Sequence, residues 1–84
     1  MHNNPVWVVE EAQPHKDYTI TLKFHDGSVK LYDAKPLLDI PFFAPIRNPG
    51  FFMQAHVECG TVVWNDELDI APEHLYEASK KIFT

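Results

Sequence analysis

YTITLKFHDGSVKLYD, residues Tyr18 to Asp33, holds two runs of alternating apolar and polar side chains around Asp26-Gly27. Asp-Gly supplies the positive φ that a two-residue hairpin turn needs, so the segment predicts an antiparallel hairpin. A two-residue loop sets His25 against Ser28, Phe24 against Val29, Lys23 against Lys30 and Leu22 against Leu31. Alternation then puts Ile20, Leu22, Phe24, Val29 and Leu31 on a core face and Thr19, Thr21, Lys23, Lys30 and Tyr32 on a wetter one. Lys23 opposite Lys30 costs about 0.2–1 kcal/mol unless a carboxylate lies nearby.

Upstream, Pro5 and the run Val6 to Val9 suit the start of a first strand, and EEAQPHKD suits an irregular exit from it. Downstream, PLLDIPFFAPIRNP (residues 36–49) carries four prolines, which remove backbone donors and forbid a long helix. One-turn helices at Pro36–Asp39 and Phe42–Ile46 are the most this crossover allows, and its apolar side chains are expected to cap one end of the core. FFMQAHVE and TVVW then read as a second hairpin turning at Cys59-Gly60, with Val57 against Val62 and Ala55 against Trp64.

The last stretch, WNDELDIAPEHLYEASKK, reads as a joint between a sheet and a helix. Pro72 suits the first helical position, Ala71 the cap, and Ile70 and Leu75 a hydrophobic staple. Glu73 in the first turn and Lys80 and Lys81 in the last complement the helix dipole, and Leu75, Ala78, Ser79 and Ile82 form one apolar stripe. The elements together predict an α+β fold: an antiparallel sheet of four or five strands, a Pro-rich crossover, and a C-terminal helix packed on one face.

The chain has 84 residues, so residues 1–84 are expected to form a single domain with a small core. Its hydrophobic fraction of 45% is that of a globular protein. Twelve acids against seven bases give a formal charge of −5, which argues against direct contact with nucleic acid and favours a basic partner. Cys59 is the one cysteine, which excludes an intramolecular disulfide and a CxxC metal pair and fits a reducing cytoplasm. The N-terminus lacks the pattern of a signal peptide, and no segment approaches the ~18 apolar residues of a membrane span, so no membrane partner is expected.

Trp64, Asp69, Ile70, Pro72, Leu75 and Tyr76 together resemble the signature of a bacterial family known as domain of unknown function 2442. There a Trp ending a strand is followed by a polar turn, an Asp, an apolar residue, a helix-opening Pro and a Leu-Tyr pair. Phe24 to Gly27 and Leu31 to Asp33 match its central hairpin, and Phe52 its Phe-rich strand. The resemblance runs from about Val6 to about Lys80. One departure is Asn65-Asp66-Glu67, where many relatives have Pro-Asn-Gly. The resemblance implies a small α+β domain, found alone or fused to a C-terminal helix-turn-helix domain, and often encoded beside another small protein as toxins and antitoxins are. It carries over no catalytic residue. With Thr84 directly after the helix, DNA binding is expected to need a separate protein.

Candidate sites point the same way. Asp66, Glu67, Asp69 and Glu73 lack the alternating ligands, sixth-position Gly and twelfth-position Glu of an EF-hand, so a solvated turn is expected, with Asp69 bonding local backbone. Among His2, His15, His25, His56 and His74 only His74 has a helical neighbour of ligand type, Glu77, and zinc needs at least three protein ligands. Cys59 sits in a turn with no oxyanion arrangement readable beside it, and no phosphate loop or nucleophile elbow occurs. No catalytic residue, metal or cofactor is expected, and the protein is not expected to be an enzyme.

Trp7 and Trp64 read as core anchors. Lys23, Lys30, Tyr32, His56 and Tyr76 are the candidate partner surface, the tyrosines because they combine large area with a polar tip. Asp26, Gly27, Trp64, Asp69, Ile70, Pro72 and Leu75 read as structural. The expected function is a non-catalytic, cytoplasmic protein-interaction module, antitoxin-like or accessory to a small protein encoded nearby. The alternative is a transcription-regulatory accessory or effector-binding domain working with a separate helix-turn-helix protein. A homodimer through exposed sheet edges is open to it as well.

Overall fold

The computed structural model describes residues 5–65 and 67–83. In chain order it contains β1 (Val9–Pro14), β2 (Thr19–Phe24), β3 (Val29–Asp33), two 3-10 segments (Lys35–Asp39 and Pro41–Arg47) and α1 (Pro49–Phe52). Then come β4 (His56–Glu58), β5 (Thr61–Asn65), β6 (Leu68–Asp69), α2 (Pro72–Ala78) and β7 (Lys80–Phe83). The fold is α+β and antiparallel: a four-stranded sheet in the order β1-β2-β3-β7 and a three-stranded one in the order β4-β5-β6.

The first hairpin exists, but its register is one residue from the expected one. Leu22 faces Lys30, Lys23 faces Val29 and Ile20 faces Tyr32. The loop holds three residues, His25 to Gly27: Phe24 N–H donates to Ser28 O at 3.0 Å and Gly27 N–H to Phe24 O at 2.9 Å. Gly27, at φ +87°, occupies the left-handed position of a type I turn closed by a bulge. Asp26 favours this loop, because its Oδ1 accepts from both the N–H and the hydroxyl of Ser28, at 2.8 and 2.6 Å. A slip of one residue exchanges the faces of a strand. Lys30 and Tyr32 therefore share a face with Leu22, Phe24 and Ile20, while Val29 and Leu31 join Thr21 and Lys23 outside.

The β1–β2 turn repeats this design. His15 N–H donates to Thr19 O, Tyr18 N–H donates to His15 O, and Tyr18 takes φ +65°. Asp17 Oδ1 accepts from the Thr19 N–H and hydroxyl as Asp26 does from Ser28. β1 itself starts at Val9 and includes Glu10 to Pro14, the stretch expected to be its irregular exit. As an outer strand it can carry polar side chains, and the pairing absorbs a bulge between Val9 and Glu11.

The proline-rich crossover forms two 3-10 segments that start a residue earlier than the one-turn helices expected at Pro36–Asp39 and Phe42–Ile46, the second running on to Arg47, and adds α1 where a strand around Phe51 and Phe52 was expected. Pro49 opens that turn, and Asn48 caps it by accepting from Phe51 N–H at 3.2 Å. The second hairpin pairs Val57 with Val62 as expected. Its turn takes φ +52° at Cys59 and +78° at Gly60, the signature of a type I′ turn.

α2 begins at Pro72 with Ala71 as cap, and Ile70 and Leu75 are both buried in the core. It is a turn shorter than its apolar stripe suggested. Ser79 leaves the helical region at ψ 158°, its hydroxyl donates back to Leu75 O, and Lys80–Phe83 becomes β7 beside β3. Lys80, Lys81 and Ile82 thus belong to a strand, which pairs with the edge of β3 that would otherwise stay open.

The core joins Ile20, Leu22, Phe24 and Tyr32 of the large sheet to Leu37, Ile46, Phe52, Val62, Trp64, Leu68, Ile70 and Leu75. Trp64 anchors it: its indole N–H donates to Phe52 O at 3.0 Å, and its ring packs against Phe43 and Phe52. No helix among the described residues is long and apolar enough to cross a membrane.

Candidate functional site

The structure brings three of the five candidate surface residues together, beneath and beside α2. Lys30 runs along the ring of Phe24, and its ammonium lies 3.5 Å from the centroid of the Tyr76 ring and donates to Tyr76 O at 2.7 Å. Phe24 meets the Tyr76 ring edge-on, with centroids 4.9 Å apart. The Tyr76 hydroxyl donates to Asp26 Oδ2 at 2.8 Å, which ties the helix to the first hairpin loop. This carboxylate therefore accepts three hydrogen bonds. The Ser28 hydroxyl and N–H, then Tyr76, lower its pKa to about 2. The same bond raises the Tyr76 phenol above its ordinary value.

Tyr32 was expected on the wetter face and is only 3% exposed. Its hydroxyl shares a hydrogen bond of 3.0 Å with His74 Nε2, and the rings meet edge-on. Burial, assisted by the nearby Asp33 carboxylate, pushes the phenol up to about 12, so it stays protonated. Neither the Lys30–Tyr76–Asp26 contact nor the Tyr32–His74 contact was read from the sequence. Both depend on the hairpin register, since only the observed pairing turns Lys30 and Tyr32 toward the helix.

The other two candidates lie elsewhere. Lys23 is on the opposite face of the large sheet, 3.8 Å from Glu11. His56 lies on the second sheet, exposed, beside Gln54 O at 2.9 Å and Glu58 at 2.6 Å; both contacts raise its pKa, the backbone carbonyl first. The five residues are not one surface.

Asp69 sits in β6 opposite Val63, and the backbone bond expected of it is made by Asn65, whose Oδ1 accepts from Glu67 N–H at 2.9 Å. Asp66 and His2 lie outside the described residues. Glu58, Cys59, Asn65 and Asp69 border a shallow groove of about 240 Å³ on the second sheet, and no group of three metal-ligating side chains occurs among the described residues. β7 is an edge strand of the large sheet, at the end opposite β1, with nothing paired to its outer side among the described residues. Ile82, on that strand, is 50% exposed.

A family model described as "Protein of unknown function (DUF2442)" matches residues 9–81. No curated protein matches the chain. Among solved structures, the chain is similar to "Putative DNA Binding Protein NE0471" of Nitrosomonas europaea, at 26% identity and a TM-score of 0.74. The match covers 84% of this chain and 47% of the other, so the chain spans about half the length of that protein. The name overturns the expectation of no direct nucleic-acid contact. That expectation rested on a charge summed over the chain, whereas phosphate contact depends on where cations are grouped.

Proposed function

This chain belongs to the family of proteins of unknown function 2442, and from that premise we propose that it is a non-catalytic protein-interaction module, an accessory or antitoxin-like partner of another small protein. The observation that carries the reading is the open edge at β7. An unpaired strand edge offers a row of backbone donors and acceptors to which an incoming strand can add. Lys80 and Lys81 alternate along that edge and favour a segment with carboxylates opposite them. The lone exposed Cys59 suits a reducing cytoplasm as the setting.

A second reading is a regulatory accessory domain acting with a DNA-binding partner. It is favoured by the likeness to about half of a longer protein whose name refers to DNA. Capture of the tagged chain from its own host's lysate, with and without nuclease, tests both. A stoichiometric protein that survives nuclease supports the first reading, and one that carries a helix-turn-helix domain supports the second. A bait recovered alone at low and moderate salt contradicts both.

A further inference from the structure

The sheet of β4, β5 and β6 has one face on the core and one face open. Val57 and Val62 pair on the core side, with Trp64, Leu68 and Ile70. Alternation turns His56, Glu58, Thr61 and Val63 to the other face, and the pairing of Val63 with Asp69 places Asp69 beside them. The groove of about 240 Å³ agrees with this register: Glu58, Cys59, Thr61, Val63, Asn65 and Asp69 line it, all from the three strands and the turn between β4 and β5. Its volume falls below the roughly 300 Å³ at which small-molecule sites begin, so it suits side chains laid across it better than an enclosed ligand.

The groove has an apolar floor and acidic flanks. Val63, on the central strand, is 9% exposed, and no lysine or arginine is among the lining residues. Asp69 has no ion-pair partner among the described residues. Glu58 is engaged on one oxygen, Oε2, which lies 2.6 Å from His56 Nε2, and its other oxygen is open. The two carboxylates stand on opposite outer strands, Glu58 across from Thr61 and Asp69 across from Val63. A strand spacing of ~4.8 Å and a rise of ~3.4 Å per residue put these positions about 12 Å apart, too far for one cation to meet both. In an extended chain, side chains at i and i+4 share a face and lie about 13 Å apart, so two cations at that spacing reach both. The formal charge of −5 draws a basic segment toward the chain as a whole.

We propose that this open face docks an extended basic segment of a partner protein, with arginine or lysine at positions i and i+4 and an aliphatic residue at i+2. One cation meets Glu58, the other meets Asp69, and the aliphatic side chain lies over Val63. Arginine suits the two ends better than lysine, because its planar fork matches a carboxylate in two parallel hydrogen bonds. The contacts are made by side chains on the face of the sheet and add no strand to it. The site does not rest on the interaction-module reading, which concerns the outer edge of β7.

The test is an amide NMR titration of the purified chain, at low salt, with the peptide acetyl-Arg-Ser-Leu-Ser-Arg-amide. Its counterparts are the same peptide with glutamine for both arginines, and acetyl-Arg-Arg-Ser-Leu-Ser-amide, which keeps the charge and loses the spacing. The first peptide is expected to saturate, with shifts centred on Thr61, Val63 and Asp69, while the spaced-out charge is what the other two lack and both bind more weakly. Glu58→Gln and Asp69→Asn should each weaken the first peptide about two- to fivefold, the range of an exposed ion pair. Glu77→Gln, which removes the same charge from an exposed position on α2, should leave it unchanged. The amide spectrum of each variant reports whether it is folded, and Glu58→Gln decides alone if Asp69→Asn is not. Three results would overturn the proposal: no saturation by the first peptide, equal binding of either counterpart, or a folded Glu58→Gln variant that loses no more than Glu77→Gln does. Because purified protein is titrated, a failure here leaves partner capture from lysate to be judged on its own.

Discussion

Replacing Lys30 by Met keeps the apolar stem and removes the ammonium, and the sign of its effect depends on the register of the first hairpin. In the observed pairing the ammonium donates to Tyr76 O at 2.7 Å and lies 3.5 Å from the Tyr76 ring centroid. A hydrogen bond from a charged donor contributes about 1.5–3 kcal/mol and a cation–π contact about 0.5–1 kcal/mol at a partly exposed site. One ammonium makes both contacts, and it is half-exposed, so the two do not add and a net loss of about 1–2 kcal/mol is expected. With a urea slope near 1 kcal/mol/M for a chain of this size, the midpoint should fall by about 1–2 M. In the two-residue register, Lys30 would face Lys23 across the wet side, and its removal would relieve repulsion of about 0.2–1 kcal/mol. Urea unfolding followed by tryptophan fluorescence reads the difference, with Lys23→Met as the control expected to stay within about 0.5 kcal/mol. A midpoint for Lys30→Met that is unchanged or raised would refute the placement of Lys30 under α2.

Other substitutions probe separate parts of the fold. Cys59→Asn creates an Asn-Gly pair in a turn whose residues already take φ +52° and +78°, so thermal unfolding should show a gain of about 0.5–1 kcal/mol. Gly60→Ala should cost more than Gly27→Ala in chemical denaturation. Both have positive φ, but a Cβ at residue 60 would meet Val8 Cγ1 at 3.1 Å, while one at residue 27 meets nothing within 4 Å. Asp26 gives a pH dependence. Its folded pKa of about 2 lies below the ordinary 3.8, so its contribution to stability is present above that ordinary value and is lost as pH falls through about 2. Acid unfolding curves should therefore be steeper for the parent than for Asp26→Asn between about pH 4 and pH 2, and parallel curves would contradict the three-bond account.

Much of the fold was legible because local signals agreed. The Pro72 start, the Ile70–Leu75 staple and the Val57–Val62 pairing needed only spacing and turn chemistry. The hairpin register was not read correctly, because Asp-Gly suits both a two-residue turn and the last two positions of a three-residue one. Ser28 held the deciding signal, since Asp followed two residues later by Ser or Thr favours the side-chain bonds seen here. The same spacing, Asp17 to Thr19, marks the β1–β2 turn, where Tyr18 hides the left-handed position that a glycine would advertise.

That single slip explains why the tyrosine and lysine candidates of the first hairpin parted, while His56 lies on the second sheet, which the slip does not touch. The slip moved Tyr32 into the core beside His74 and Lys30 under Tyr76, leaving Lys23 apart. The end of α2 was obscured for another reason. Ala78, Ser79 and Ile82 continue a helical stripe, and only the vacant edge of β3 makes a strand preferable from Lys80 onward. A long-range vacancy of this kind leaves no local trace in sequence.

The open edge of β7 bears the weight of the functional account, and hydrogen exchange tests it most directly. Amides 80–82 would be followed in the free chain and in the chain saturated with the partner captured from lysate. Strand addition predicts that the amides on the outer side of β7 slow by about tenfold or more, while those of β4 and β5 are unchanged. Protection that appears on another face, with β7 exchanging as in the free chain, would contradict it.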